Sequence, residues 1–211
     1  MDAHIILDVA TAALPDANDY LDTPKPDARL TDPAKIAASI AHKRQERLDA
    51  AGLDLDLCRL TAIGYHITEP VVLLCHDEDE ERAALTQLAT ALRDTHGGLR
   101  TAITYNGHSF DLPVLMRRAR YLGVLFPTLG IDRYKSLNTD LMLEMSDRDP
   151  SKRRALGFYV KRLKMGLTKT LSGEEEAKVH EHGNWEGLRE SVLHDLEATR
   201  RLALWWGAIR P

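Results

Sequence analysis

Much that would set this chain apart is missing from it. Two cysteines, Cys58 and Cys75, are too few for a disulfide framework, and both fall in β-prone runs where buried thiols are expected. No apolar run approaches the roughly 18 residues of a membrane-spanning helix, and Met1-Asp2-Ala3-His4 lacks the basic start of a secretory signal. These absences fit a cytoplasmic protein with no membrane partner. An excess of positive charge is lacking too: 28 Lys and Arg stand against 32 Asp and Glu, a net of −4. That balance argues against a general, strongly basic nucleic-acid binder. Internal repeats and low-complexity segments are also absent.

What is present has an ordinary globular composition. The 211 residues, 44% apolar and 28% charged, suffice for one core without disulfide or metal staples. No internal boundary divides residues 1–211, so a single domain is expected. The charge, however, is unevenly spread. Residues 112–170 hold thirteen basic and five acidic side chains, a net of +8, which leaves −12 for the rest. Such asymmetry suggests one surface that meets an anion.

Alternating apolar residues predict a first strand over residues 3–9, with Ile5, Leu7 and Val9 on one face and Ile6, Asp8 and Ala10 on the other. A loop rich in Pro and Asp follows. Asp32-Pro33 then marks an N-cap with proline at the first position of a helix reaching about residue 51. Strands over 58–67 and 71–75 pair around a turn at 68–70. An acid-started helix spans 77–93, ended by His96-Gly97-Gly98, and a further strand spans 100–105. Leu112, Leu115, Met116, Ala119 and Leu122 mark an amphipathic helix, residues 150–164 a basic helix, and residues 185–206 a long final helix. Strands early and helices late indicate an α/β fold with a mixed sheet.

Three aspartates interrupt apolar context at the working ends of these elements. Asp8 follows Ile5-Ile6-Leu7 in a strand, where Asp is disfavoured. Asp111 opens a helix, a position where the macrodipole alone favours negative charge. Asp195 lies inside the last helix beside its apolar stripe, where pairing with Arg200 or a neighbouring arginine is the plain alternative. A buried carboxylate must be paired or metal-bound, because desolvating it alone costs several kcal/mol.

In order along the chain, Ile6-Leu7-Asp8-Val9-Ala10-Thr11, Tyr105-Asn106-Gly107-His108-Ser109-Phe110-Asp111-Leu112-Pro113 and His194-Asp195-Leu196-Glu197-Ala198-Thr199 resemble three known motifs. These are the motifs of the DEDD superfamily of ribonuclease H-like 3′→5′ exonucleases. The closest resemblance is to stand-alone relatives of the proofreading exonuclease domain of family B DNA polymerases. Weaker similarity at Asp32-Pro33-Ala34-Lys35-Ile36, Ala62-Ile63-Gly64-Tyr65, Thr139-Asp140-Leu141-Met142 and Leu171-Ser172-Gly173 extends it along nearly the whole chain. The resemblance implies a ribonuclease H-like fold, a central mixed β-sheet flanked by helices, with the first and last motifs meeting at one edge.

It also implies a reaction: hydrolysis of phosphodiesters at the 3′ end of single-stranded nucleic acid, DNA favoured over RNA. Two Mg²⁺ or Mn²⁺ ions about 4 Å apart would activate the attacking water and stabilise the leaving 3′-oxygen, and carboxylate oxygens suit such hard cations. By resemblance Asp8 would bridge both ions, Asp195 would hold the nucleophile's ion, and Asp111 would support the second, partly through water. Asn106 and Phe110, with Thr11 nearby, would shape the pocket for the 3′-terminal nucleotide. Replication or repair proteins are the partners that a proofreading or DNA-repair role suggests.

Two positions depart from the pattern. Ala10 stands where the first motif carries Glu and cannot ligate a metal; it reads either as an engineered substitution or as the mark of a natural degenerate member. Ser191 stands where the nearest relatives carry a tyrosine, four residues before Asp195, and can orient a water but is a poor base. Glu190 occupies the position of the histidine found in another subgroup. His194 has a suitable ordinary pKa but points roughly 100° away from Asp195 on a helix. As written, the chain is expected to be weakly active or inactive. The alternative function is a catalytically degenerate nucleic-acid-binding or partner-binding module with the same fold.

Arg148, Lys152, Arg153, Arg154, Lys161, Arg162 and Lys164 carry Phe158 and Tyr159 between them. Cations for phosphates and rings for bases would suit a strand-binding surface, to which Arg117, Arg118 and Arg120 add charge. His180-Glu181-His182 lacks further spaced ligands and reads as surface histidines. Asp140 reads as structural, capping a helix that starts at Leu141.

Overall fold

A computed structural model describes residues 3–93, 98–132 and 134–210. Five strands, β1 (His4–Ala13), β2 (Cys58–His66), β3 (Pro70–Leu74), β4 (Thr101–Thr104) and β5 (Thr139–Asp140), form one sheet in the order β3-β2-β1-β4-β5. The first three run antiparallel to their neighbours, while β4 joins β1, and β5 joins β4, in parallel. Among the described residues the helices are α1 (Pro33–Ala50), α2 (Glu78–Ala91), α3 (Asp111–Tyr121), α4 (Leu141–Met145), α5 (Leu156–Arg162), α6 (Gly173–Ala177), α7 (Val179–His182) and α8 (Trp185–Trp206). The fold is α/β, a mixed sheet flanked by helices.

The period of two in β1 divides the core. Ile5 and Leu7 pack with Leu85 and Leu88 of α2 and with Leu112 and Leu115 of α3. Ile6 and Ala10 face the other way, toward Leu188, Val192 and Leu196 of α8. Each fully buried leucine contributes about 1.5–3 kcal/mol, so the two layers pin β1 from both sides. The first and last motifs therefore meet on the central strand and not at an edge, because β2 and β4 flank β1.

The close seat of α8 depends on β2. Gly64 pairs with Asp8, and a Cβ at Gly64 would lie 2.4 Å from Val192 Cγ1 and 3.0 Å from Leu196 Cδ1. Only the bare backbone admits the helix at this distance.

Several boundaries differ from the sequence expectation. β1 runs on to Ala13, because an irregularity between Ala10 and Thr11 resets its register and lets pairing continue down to Cys58. Cys75 falls just beyond β3. Asp32 caps α1 by accepting from the Ala34 N–H (2.8 Å), with Pro33 first in the helix as expected. α2 ends at Ala91, and of its expected terminator His96 and Gly97 lie outside the described residues. The basic helix expected over 150–164 is a 3-10 turn (Pro150–Lys152) followed by α5 only. Asp149 and Pro150 start the turn, and the Tyr105 hydroxyl donates to the Arg154 carbonyl, holding the intervening backbone extended. Among the described residues no helix is long and apolar enough to cross a membrane.

Candidate active site

Asp8 sits on the α8 face of β1, and two other aspartates are carried to it by separate elements. Asp111 opens α3, and its Oδ1 accepts from the Val9 N–H at 3.2 Å. Asp195 arrives on α8. Burial, then the charges of Asp195, Asp111 and Glu176, push the Asp8 carboxyl well above the usual carboxylate range, with the Lys169 ammonium opposing them. Asp111 is pushed up to about 7, mainly by burial; the N–H groups of Asp111 and Val9 work against the shift, and Asp140 and Asp195 add to it. Three carboxylates distant in sequence are thus near enough for the charge on one to raise the pKa of another.

A fourth carboxylate and a cation, neither anticipated, complete the cluster. Lys169 Nζ lies 2.5 Å from Asp195 Oδ2 and 2.9 Å from Glu176 Oε1. Although burial opposes its charge, Asp195 and Glu176 hold this ammonium well above the ordinary lysine range. Glu176 belongs to an acidic run that reads as a solvated helix start. The signal that separates it from its neighbours is a capping box: Ser172 accepts from the Glu175 N–H while the Glu175 carboxylate returns to the Ser172 N–H. Glu175 is thereby occupied, Glu174 pairs outward with Lys178 (2.7 Å), and Glu176 faces inward.

Ser191 is fully buried and its hydroxyl donates to Glu176 Oε1 at 2.6 Å. Its position four residues before Asp195 thus serves to hold a carboxylate. Contrary to the helical-wheel expectation, His194 meets Asp195: its Nδ1 lies 2.8 Å from Asp195 Oδ1. The ring reaches back across a divergence that separates only the Cα–Cβ directions. Glu190 is exposed. Ala10 is buried in the α8 layer.

The second motif is shaped by Asp140, which does more than cap. Its carboxylate accepts from Met142 N–H (3.0 Å) and Leu143 N–H (3.3 Å) at the start of α4, and also from Asn106 N–H (2.9 Å) and His108 N–H (3.0 Å). Asn106 holds a left-handed φ of 69°, a conformation Asn tolerates better than most residues. At Gly107 a Cβ would fall 2.3 Å from Thr104 Oγ1. The Asn-Gly pair is therefore demanded by the turn that delivers Asp111. Phe110 packs at the margin of the α2–α3 layer. Thr11 is buried, and its hydroxyl donates to the Gly52 carbonyl (2.6 Å), tying β1 to the turn at Ala51–Leu53.

The basic segment adjoins this site through Tyr105, whose ring meets Tyr159 edge-on at 6.3 Å. Tyr159 packs inward, while Phe158 is 47% exposed with the Arg154 guanidinium 6.0 Å above it. Lys161, Arg162 and Lys164 are exposed. Arg118 does not join this surface: it is buried, making two hydrogen bonds to Glu81 at 2.7 and 2.8 Å. Arg117 pairs with Asp56 (3.3 Å). His180 packs against Trp185, and burial lowers its pKa to about 4.

Among the described residues, no group of three or more His, Cys, Asp or Glu side chains is already gathered as a metal centre. The donor chemistry nevertheless suits a hard cation: the oxygens are carboxylates, and one cation, the Lys169 ammonium, is already held between two of them. No protein-family model matches the chain, and no curated protein matches it.

Proposed function

We propose that this chain is a metal-dependent 3′→5′ exonuclease of ribonuclease H-like fold, acting on single-stranded ends with DNA favoured over RNA. The observation that carries the reading is the convergence of Asp8, Asp111 and Asp195 on the central strand, each the acidic residue of one motif. Asp8 and Asp195 would hold the cation on the side of the attacking water, and Asp8 with Asp111 the other. Mg²⁺ or Mn²⁺, when bound, lower the pKa of an attacking water and neutralise charge on the leaving 3′-oxygen. His194, against Asp195, is placed to orient that carboxylate. Asn106, on the turn that delivers Asp111, borders the place of the 3′-terminal nucleotide. The exposed cations of residues 148–164 would hold the strand by its phosphates, with Phe158 available for stacking. Cys58 and Cys75, free and with thiols pushed up to about 12 chiefly by burial, suit a reducing cytoplasm. Replication or repair assemblies are the fitting partners.

The test is degradation of 3′-labelled single strands of DNA and RNA with Mg²⁺ or Mn²⁺. Shortening from the 3′ end is expected, lost on chelation and in Asp8→Ala, Asp111→Ala and Asp195→Ala. If neither strand is shortened with either metal, the enzyme reading falls. A second reading, a catalytically degenerate nucleic-acid-binding module, is favoured by one observation: Lys169 already neutralises part of the acidic cluster. It would show as strand binding without turnover, indifferent to metal.

A further inference from the structure

The first motif lacks a carboxylate at Ala10, on the same face of β1 as Asp8. Ala10 is packed among Ile6, Ala62 and the α8 leucines, so nothing at that position can donate an oxygen. α6 packs against β1 and carries Glu176, whose side chain is only 16% exposed. A local turn and two contacts fix its carboxylate. The Ser172–Glu175 capping box sets the phase of α6. The buried Ser191 hydroxyl donates to Oε1. The Lys169 ammonium bridges that same oxygen and Asp195 Oδ2.

One positive group therefore touches oxygens of both Glu176 and Asp195. A free cation could do the same.

We propose that Glu176 supplies, from α6, the carboxylate that β1 lacks at Ala10, so that Asp8, Asp195 and Glu176 together hold the cation on the side of the attacking water. Lys169 is the occupant that this cation displaces. Its side chain is 34% exposed, which leaves the ammonium a path into solvent when the cation enters. Ser191, at the position of the missing tyrosine, is a positioning residue that aims Glu176. The inference rests on the metal-dependent reading above. It replaces the expectation of an impaired chain with that of a competent one.

Mn²⁺ binding to the full chain, followed by titration calorimetry and by the loss of free-ion paramagnetic signal, tests it without reference to turnover. Glu176→Gln is expected to weaken binding about tenfold or more, a loss at least as large as that for residues supporting a metal ligand. Glu176→Asp, which keeps the charge and withdraws the oxygens by one methylene, is expected to fall between. Ala10→Glu added to Glu176→Gln restores binding, because the missing oxygens return on β1. Lys169→Gln tightens it, and Glu174→Gln, on the outward face of α6, leaves it unchanged. Binding that survives both Glu176→Gln and Glu176→Asp overturns the assignment of Glu176 and leaves the metal reading standing. Absence of binding by both the unaltered chain and Lys169→Gln removes the metal reading and this inference with it.

Discussion

Gly64 and Asp8 are partners across the β1–β2 pair, and the missing side chain of the one lets α8, which carries Asp195, settle beside the other. Because Gly64 offers no Cβ, Val192 and Leu196 settle directly onto the sheet, and Asp195, one residue before Leu196, comes near enough for its charge to raise the Asp8 carboxyl. Gly64→Ala is expected to overpack this contact and cost about 1–3 kcal/mol, with Gly64→Val worse. Urea unfolding measures the loss. An unchanged midpoint would show that α8 has slack that the 2.4 Å approach excludes.

Asp140→Ala is expected to be more damaging than the loss of a single helix cap. The substitution withdraws the acceptor from four N–H groups in two segments. At about 1–3 kcal/mol for each donor left without a partner and shielded from water, a loss of about 3 kcal/mol or more follows. Hydrogen exchange should quicken at Asn106 and His108 as well as at Met142 and Leu143. Faster exchange at the α4 amides alone would reduce Asp140 to a simple cap.

The crowded carboxylates give stability an unusual pH dependence. The Asp111 carboxyl rises from an ordinary 3.8 to about 7 on folding, and Asp8 moves the same way. The native state therefore holds protons that the unfolded chain releases. The stability from this source is complete below about pH 4 and is lost as pH rises through about 7. Glu197 acts oppositely: hydrogen bonds from Arg200, then Arg201, hold it down to about 2, so its contribution is lost as pH falls from about 4.5 toward 2. In the absence of divalent ions, these groups place the Tm maximum at about pH 4, with a decline toward pH 8. Mn²⁺ added at pH 8 should recover much of it. A Tm that climbs steadily from pH 5 to 8 in chelator contradicts the crowding.

Two sets of cations that look alike in the sequence should behave differently. Replacing Lys161, Arg162 and Lys164 by Gln is expected to weaken single-strand binding and to reduce its logarithmic salt slope by about 2, at roughly 0.7 per phosphate contact. Arg118→Met should leave strand binding intact yet destabilise the fold by about 3–5 kcal/mol, since it strands the buried Glu81. Fluorescence anisotropy across a salt series separates the two.

The sheet and the first helix are legible in the sequence because each is written in local pattern. Alternation marks β1, the capped Asp32-Pro33 marks α1, and Asp8, Asp111 and Asp195 each break an apolar context. The basic segment is not one helix because the tie from Tyr105 to Arg154 is a contact between residues 49 apart in sequence, which no local period reports. The burial of Arg118 is hidden for the same reason, its partner Glu81 lying on another helix. Glu176 and Lys169 escaped notice because an acidic run and a loop lysine are ordinary surface features until folding closes them on Asp195. The capping box that frees Glu176 is the one local signal of its role.

Asp8 and Asp195 stand at nearly opposite ends of the chain, and Glu176 and Lys169 also belong to its last quarter. During synthesis from the N-terminus, β1 and the Asp111 turn emerge well before α8. A nascent chain can therefore pair its first strands while its acidic centre is still incomplete. Long-range closure of this kind folds slowly, so the carboxylates gathered around Lys169 come together only after α8 has docked on the sheet.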